Sequence, residues 1–72
     1  MDKGVMLIPE TSEEIIRCKH WLIARGKEFI ELFIPTVDGK KQLVIITAFN
    51  WVDNILYRLT FPVKREKMNV YN

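Results

Sequence analysis

The stretch Asn50-Trp51-Val52-Asp53-Asn54-Ile55-Leu56-Tyr57-Arg58-Leu59-Thr60-Phe61 decides the fold. Read as a strand, it alternates Ile55, Tyr57, Leu59 and Phe61 onto one face. Read as a helix beginning at Asn50, it gathers Trp51, Val52, Ile55, Leu56 and Leu59 onto one face. Thr60, Phe61 and Val63 are poor helix formers and the run continues through them, which favours the strand. The expected fold class is therefore α+β. One helix packs on a small antiparallel sheet in the order β-α-β-β-β, with β-α-β-β-α as the alternative.

Outward from this segment the pattern is easier to read. Upstream, Lys27 to Ile34 alternates, with Phe29, Glu31 and Phe33 on one face and Ile30, Leu32 and Ile34 on the other. Val37-Asp38-Gly39-Lys40 carries the Asp-Gly signal of a hairpin, and a two-residue type I′ turn is expected there. Gln42 to Phe49 is the return strand. Its run Leu43-Val44-Ile45-Ile46 lacks polar alternation, so both of its faces should be covered. Earlier still, Val5-Met6-Leu7-Ile8 is a short strand closed by Pro9. Thr11 and Glu14 have capping-box spacing. A helix from Ser12 to Arg25 follows and ends at Gly26. Ile15, Cys18 and Leu22 form its narrow apolar stripe, flanked by Ile16, Trp21 and Ile23 and interrupted by Lys19, and Ile16, Cys18, His20, Leu22 and Ala24 also alternate as a strand would.

Seventy-two residues, 49% of them hydrophobic, suit one domain with a small core. Residues 64–72 also read as a flexible, solvated tail. The net charge of +2 is unevenly placed. Four acids and one lysine give −3 over residues 1–14; ten bases and five acids give +5 over residues 15–72. One cysteine excludes an internal disulfide and a multi-cysteine zinc site. The apolar runs are shorter than the ~20 residues of a membrane span. Met1-Asp2-Lys3-Gly4 does not read as a signal peptide. A cytoplasmic location is expected, without membrane, metal or cofactor.

Most chemistry-bearing residues have ordinary explanations. Cys18 and His20 lie on different faces of the helix, which separates a nucleophile from its base. Glu13 and Glu14 suit a helix N-terminus, and Glu28 and Glu31 point to opposite strand faces. The three glycines are too scattered for a phosphate loop. Seven aromatics are of more interest: Trp21, Phe29, Phe33, Phe49, Trp51, Tyr57 and Phe61. Interleaved with Lys27, Arg58 and Lys64, they offer base stacking. Left uncovered, they offer an aromatic face for a protein partner or a homodimer. Residues 27–49 offer a third possibility, a basic hairpin that binds DNA.

Downstream of the deciding stretch comes Pro62-Val63-Lys64-Arg65-Glu66-Lys67-Met68-Asn69-Val70-Tyr71-Asn72. Arginine and lysine neutralise charge on a phosphoryl group under attack. A tyrosine whose pKa is lowered by cations can accept a proton from a 2′-hydroxyl. A strand running into Lys64-Arg65-Glu66-Lys67-Met68-Asn69-Val70-Tyr71 resembles the RelE/ParE-type toxin superfamily. There the last strand leads into a basic run with a catalytic arginine and, several residues on, a tyrosine. The resemblance implies metal-free cleavage of mRNA, usually on the ribosome; ParE-type members act instead on DNA gyrase. Carried over, Arg65 would stabilise the phosphate and Tyr71 would be the general base. Lys64, Lys67 and Arg58 would hold the RNA backbone. The chain departs from the family in having one expected helix where the family has a helical hairpin, and in being less basic.

Overall fold

The computed structural model describes residues 2–61 and 63–68. Its elements are β1 (Lys3–Leu7), α1 (Ser12–Ala24), β2 (Ile30–Pro35), β3 (Lys41–Phe49), α2 (Trp51–Thr60) and β4 (Arg65–Lys67). The sheet is antiparallel throughout, in the order β2-β3-β1-β4. This β-α-β-β-α-β path, with β1 and β3 central, is the split βαβ plan.

The fold is α+β as expected, but the deciding stretch is helix. The favoured order β-α-β-β-β is thus corrected to the alternative β-α-β-β-α, extended by β4. A local cap opens the helix. Asn50 Oδ1 accepts the Asp53 N–H at 2.9 Å, and Asp53 Oδ2 accepts the Asn50 N–H at 3.0 Å. This reciprocal pair satisfies two otherwise orphaned donors. At the far end Thr60 bonds its hydroxyl back to the Leu56 carbonyl at 2.6 Å, so a poor helix former closes the last turn.

Helix α1 begins and ends where its sequence indicates. Thr11 Oγ1 accepts the Glu14 N–H at 3.1 Å, but Glu14 reaches back to the Glu10 N–H, at 2.7 Å, instead of completing a box with Thr11. At the other end Gly26 takes φ +68°. Its N–H bonds to the Ile23 carbonyl at 3.0 Å and the Lys27 N–H to the Leu22 carbonyl at 2.9 Å, a Schellman closure. This diverts Lys27 from the strand, and β2 starts only at Ile30.

Registers assign the two sheet faces. Val5 lies opposite Thr47 and Lys67, Leu7 opposite Ile45 and Arg65, and Glu31 opposite Ile45. Val5, Leu7, Ile45 and Phe49 thus face the helices, and with Cys18, Leu22, Tyr57, Phe61 and Val63 they form the core. Met6, Ile30, Leu32, Ile34, Val44 and Ile46 occupy the other face. Val44 and Ile45, on opposite faces, are both fully buried, whereas Leu43 and Ile46 are half-buried.

The β2–β3 hairpin forms at the expected place with a different turn. Gly39 alone has positive φ there, +80°, so the two-residue type I′ turn is replaced by a three-residue loop, Val37-Asp38-Gly39. The Thr36 N–H bonds to the Lys40 carbonyl at 2.8 Å and the Gly39 N–H to the Thr36 carbonyl at 3.1 Å. Asp38 accepts from the Thr36 hydroxyl and the Lys40 N–H, which holds its carboxyl below the usual range.

Candidate functional site

Among the described residues, the basic run after α2 forms an edge of the sheet. Strand β4 pairs with β1, the Ile8 N–H bonds to the Lys64 carbonyl at 2.8 Å, and the Met68 N–H to the Gly4 carbonyl at 3.2 Å. Arg65 and Lys67 therefore project to the helix side of the sheet. Arg65 is half-buried. Its Nη1 donates to Asn54 Oδ1 at 2.5 Å, and its guanidinium carbon lies 5.0 Å from the Tyr57 ring centroid and 5.9 Å from that of Phe49. Such stacking suits arginine's planar, weakly hydrated head. Lys64 is exposed. Tyr71, the expected general base, lies outside the described residues, so its relation to Arg65 is not described.

A cavity of about 430 Å³ opens where β1, β4 and the start of α2 meet. Lys3 and Lys67 supply charge at its wall, Asn50 and Asn54 supply amides, and Trp51 supplies a ring that is 74% exposed. Arg58 stands exposed one helical turn beyond Asn54. The structure thus brings Lys67 and the Arg65-bound Asn54 to one concavity and sets Lys64 apart from its wall.

The other candidates are accounted for by packing. Trp21, Phe49, Tyr57 and Phe61 form one aromatic cluster with ring centroids 5.4–5.9 Å apart. Burial pushes the Tyr57 hydroxyl up to about 12, and it donates to the buried Val63 carbonyl. Burial likewise pushes Cys18 up to about 11. Glu31 pairs with Lys19 at 2.6 Å. Among the described residues no group of His, Cys, Asp and Glu gathers as a metal site. No helix among them is long and apolar enough to cross a membrane.

An ion cluster surrounds Asp53, which is 2% exposed, and no local pattern in the sequence announces it. Arg25 donates to Oδ1 through Nε at 3.2 Å and Nη2 at 2.9 Å, and Lys27 Nζ donates to Oδ2 at 2.7 Å. Burial by itself raises this carboxyl, but Lys27, the Asn50 N–H and Arg25 outweigh it and hold it below the usual range. The Asp53 hydrogen bond raises Lys27 in turn. The cluster ties the end of α1 to the start of α2, and it removes Lys27 from any nucleic-acid surface. The hairpin is then left with Lys40 and Lys41 near its tip, since β2 carries no cation.

Helix α2 shows a second feature. Trp51, Ile55 and Leu59, at i, i+4 and i+8, are 74%, 48% and 76% exposed, with Val52 beside them at 37%. They lie on the face opposite buried Asp53 and Tyr57. No protein-family model, curated protein or solved structure matches the chain.

Proposed function

We propose that this domain is a small non-enzymatic protein-interaction module whose docking element is the outer face of α2. The observation that carries the reading is the unbroken stripe Trp51, Val52, Ile55 and Leu59, exposed opposite the helix's own core face. The inner face buries Asp53 and Tyr57, while an apolar stripe on the outer face is the kind of surface a helix ordinarily buries. Tryptophan at the head of the stripe is the commonest kind of interface anchor, and the spacing is that of a helix laid in an apolar groove. A photo-crosslinking residue at Ile55, in cells expressing the chain, should give one discrete protein adduct. Trp51→Ala with Leu59→Ala should abolish it without changing the fold. Absence of any adduct would overturn the reading.

The cavity lined by Lys3, Lys67 and Trp51 supports a second reading, RNA binding, with the RelE-like ribonuclease as its catalytic form. Backbone contacts by Lys3 and Lys67 would make binding salt-sensitive, and each lost contact would lower the salt slope by about one unit. Lys67→Ala is the clean test, since Lys67 is exposed and its loss removes charge without disturbing the core. Arg65→Ala also removes the Asn54 bond and the ring contacts, so lost activity there would not distinguish catalysis from folding. An mRNA-cleavage assay of Tyr71→Phe tests the enzyme. Unchanged salt dependence in Lys67→Ala, with no cleavage by the parent chain, would sink this second reading.

A further inference from the structure

We propose that β2 is a self-association edge, and that a second copy of this chain pairs with it antiparallel about a two-fold axis centred on Leu32. Strand β2 is the outer strand beside β3, so one row of its backbone donors and acceptors has no partner within the described sheet. Natural edges are usually protected by lysine, bulges or central proline. The sequence Ile30-Glu31-Leu32-Phe33-Ile34-Pro35 has one acid, no lysine, and proline only at its end.

The occupant must supply a strand, which an unpaired ladder requires. It must also supply apolar surface above that strand, because the same flank continues upward onto α1. Glu31 reaches Lys19 at 2.6 Å, which places Lys19 on the β2 side of α1. Ile16 and Ile23 stand one turn either side of Lys19 and are 67% and 66% exposed. Below them Phe33, on the helix side of β2, is 70% exposed. Ile30 and Leu32 on the other face are 56% and 42% exposed. A second copy offers the matching pair of elements, an open strand under an apolar helix flank.

Two-fold symmetry restricts the register, because an isologous antiparallel pair needs one residue opposite itself. Centring on Glu31 sets two like charges face to face. Centring on Phe33 draws Pro35, which has no N–H, into the ladder opposite Glu31. Centring on Leu32 sets Ile30 against the partner's Ile34 and Glu31 against the partner's Phe33, and leaves Pro35 outside. The five-residue ladder is about 17 Å long. It needs the helix flank to approach the roughly 800 Å² per partner of a stable interface. Dissociation in the micromolar range is the expected consequence.

Sedimentation of the full chain at roughly 100 µM, enough to populate a micromolar dimer, should give twice the 8.6 kDa chain mass. Leu32→Lys sets two lysines opposite each other and should return the mass to one chain, with an unaltered circular-dichroism melt at low concentration. Directly opposed strand residues are close enough for a disulfide. Leu32→Cys should therefore cross-link to itself under mild oxidation. Ile30→Cys should not, its own symmetry mate being about 13 Å away along the ladder. Buried Cys18 is shielded from this chemistry. A monomer at this concentration overturns the proposal. So does a dimer that Leu32→Cys fails to trap, or that Trp51→Ala dissociates while Leu32→Lys does not. The substitutions at Ile30 and Leu32 leave the α2 stripe intact, so this surface fails or stands independently of the docking helix.

Discussion

Tyr57 illustrates how much one residue joins in so small a core. Its ring contacts Trp21, Phe49 and Phe61, Arg65 lies over it, and its hydroxyl closes the chain back onto the Val63 carbonyl. Tyr57→Phe keeps the ring and leaves a buried carbonyl unpaired, so denaturant unfolding should show a loss of about 1–3 kcal/mol. An unchanged midpoint would mean that solvent satisfies that carbonyl. Arg65 teaches a related lesson. As a sequence position it reads as a free cation in a basic run. In the fold it is half-buried, with one nitrogen bonded to Asn54. The difference arises from β4, whose alternation turns residues 65 and 67 toward the helices and Glu66 away.

Among elements, α2 depends most on what lies outside it. Its capping box is local, but Asp53 is also the partner of Arg25 and Lys27 from the α1–β2 junction. Asp53→Ala removes the carboxylate half of the capping box, a bond to the Asn50 N–H worth about 1 kcal/mol, leaves the Asn50 bond to the N–H of residue 53 in place, and takes the nearer of its two carboxylates from a lysine whose side chain is 14% exposed. Breaking a buried pair costs about 3–5 kcal/mol, discounted here because Arg25 remains partly solvated. A total loss of about 2–4 kcal/mol is expected in thermal or denaturant melts. Asp53→Asn keeps the shape and a cap acceptor, so it should recover the cap's share but not the ion pair's. An Asp53→Asn protein as stable as the parent would show that the ion cluster adds nothing beyond the bond to the Asn50 N–H.

At the scale of the whole molecule, pH reads out the core. Cys18 and Tyr57 are both raised in the folded state, from 9.0 to about 11 and from 10.0 to about 12. Their contribution is complete below the unfolded values and is lost as pH rises through the folded ones. Stability should therefore fall between about pH 9 and 12, by about 2–3 kcal/mol for each group at 1.4 kcal/mol per unit. Tyr57→Phe should flatten the upper part of that decline in melts taken across the range. Asp53 acts in the opposite sense. Its lowered carboxyl stabilises the fold above the ordinary carboxylate range, and that contribution is lost as pH falls through its folded value. Outside the core, exposed apolar side chains remain on α2, offered to the proposed partner, and on β2 and α1, offered to the proposed second copy.

Elements whose signals are local were legible in the chain before folding. The cap at Thr11, the closure at Gly26 and the Asp38-Gly39 hairpin each depend on side-chain and backbone bonds within a few residues, and each falls where it reads. Asn50 and Asp53 carried the same kind of signal for α2, at capping-box spacing but with Asn and Asp instead of the usual Ser or Thr and Glu. It was outweighed by an alternation that fits a strand equally well, with Ile55, Tyr57, Leu59 and Phe61 on one face. Only the tertiary structure decided between the two readings, through cations from residues 25 and 27 that fix Asp53 and through a core that receives Tyr57. It also decided that Arg65 stacks on rings, that Lys27 serves Asp53, and which apolar residues remain outside. Those outcomes depend on contacts between residues far apart in sequence, which no local periodicity encodes.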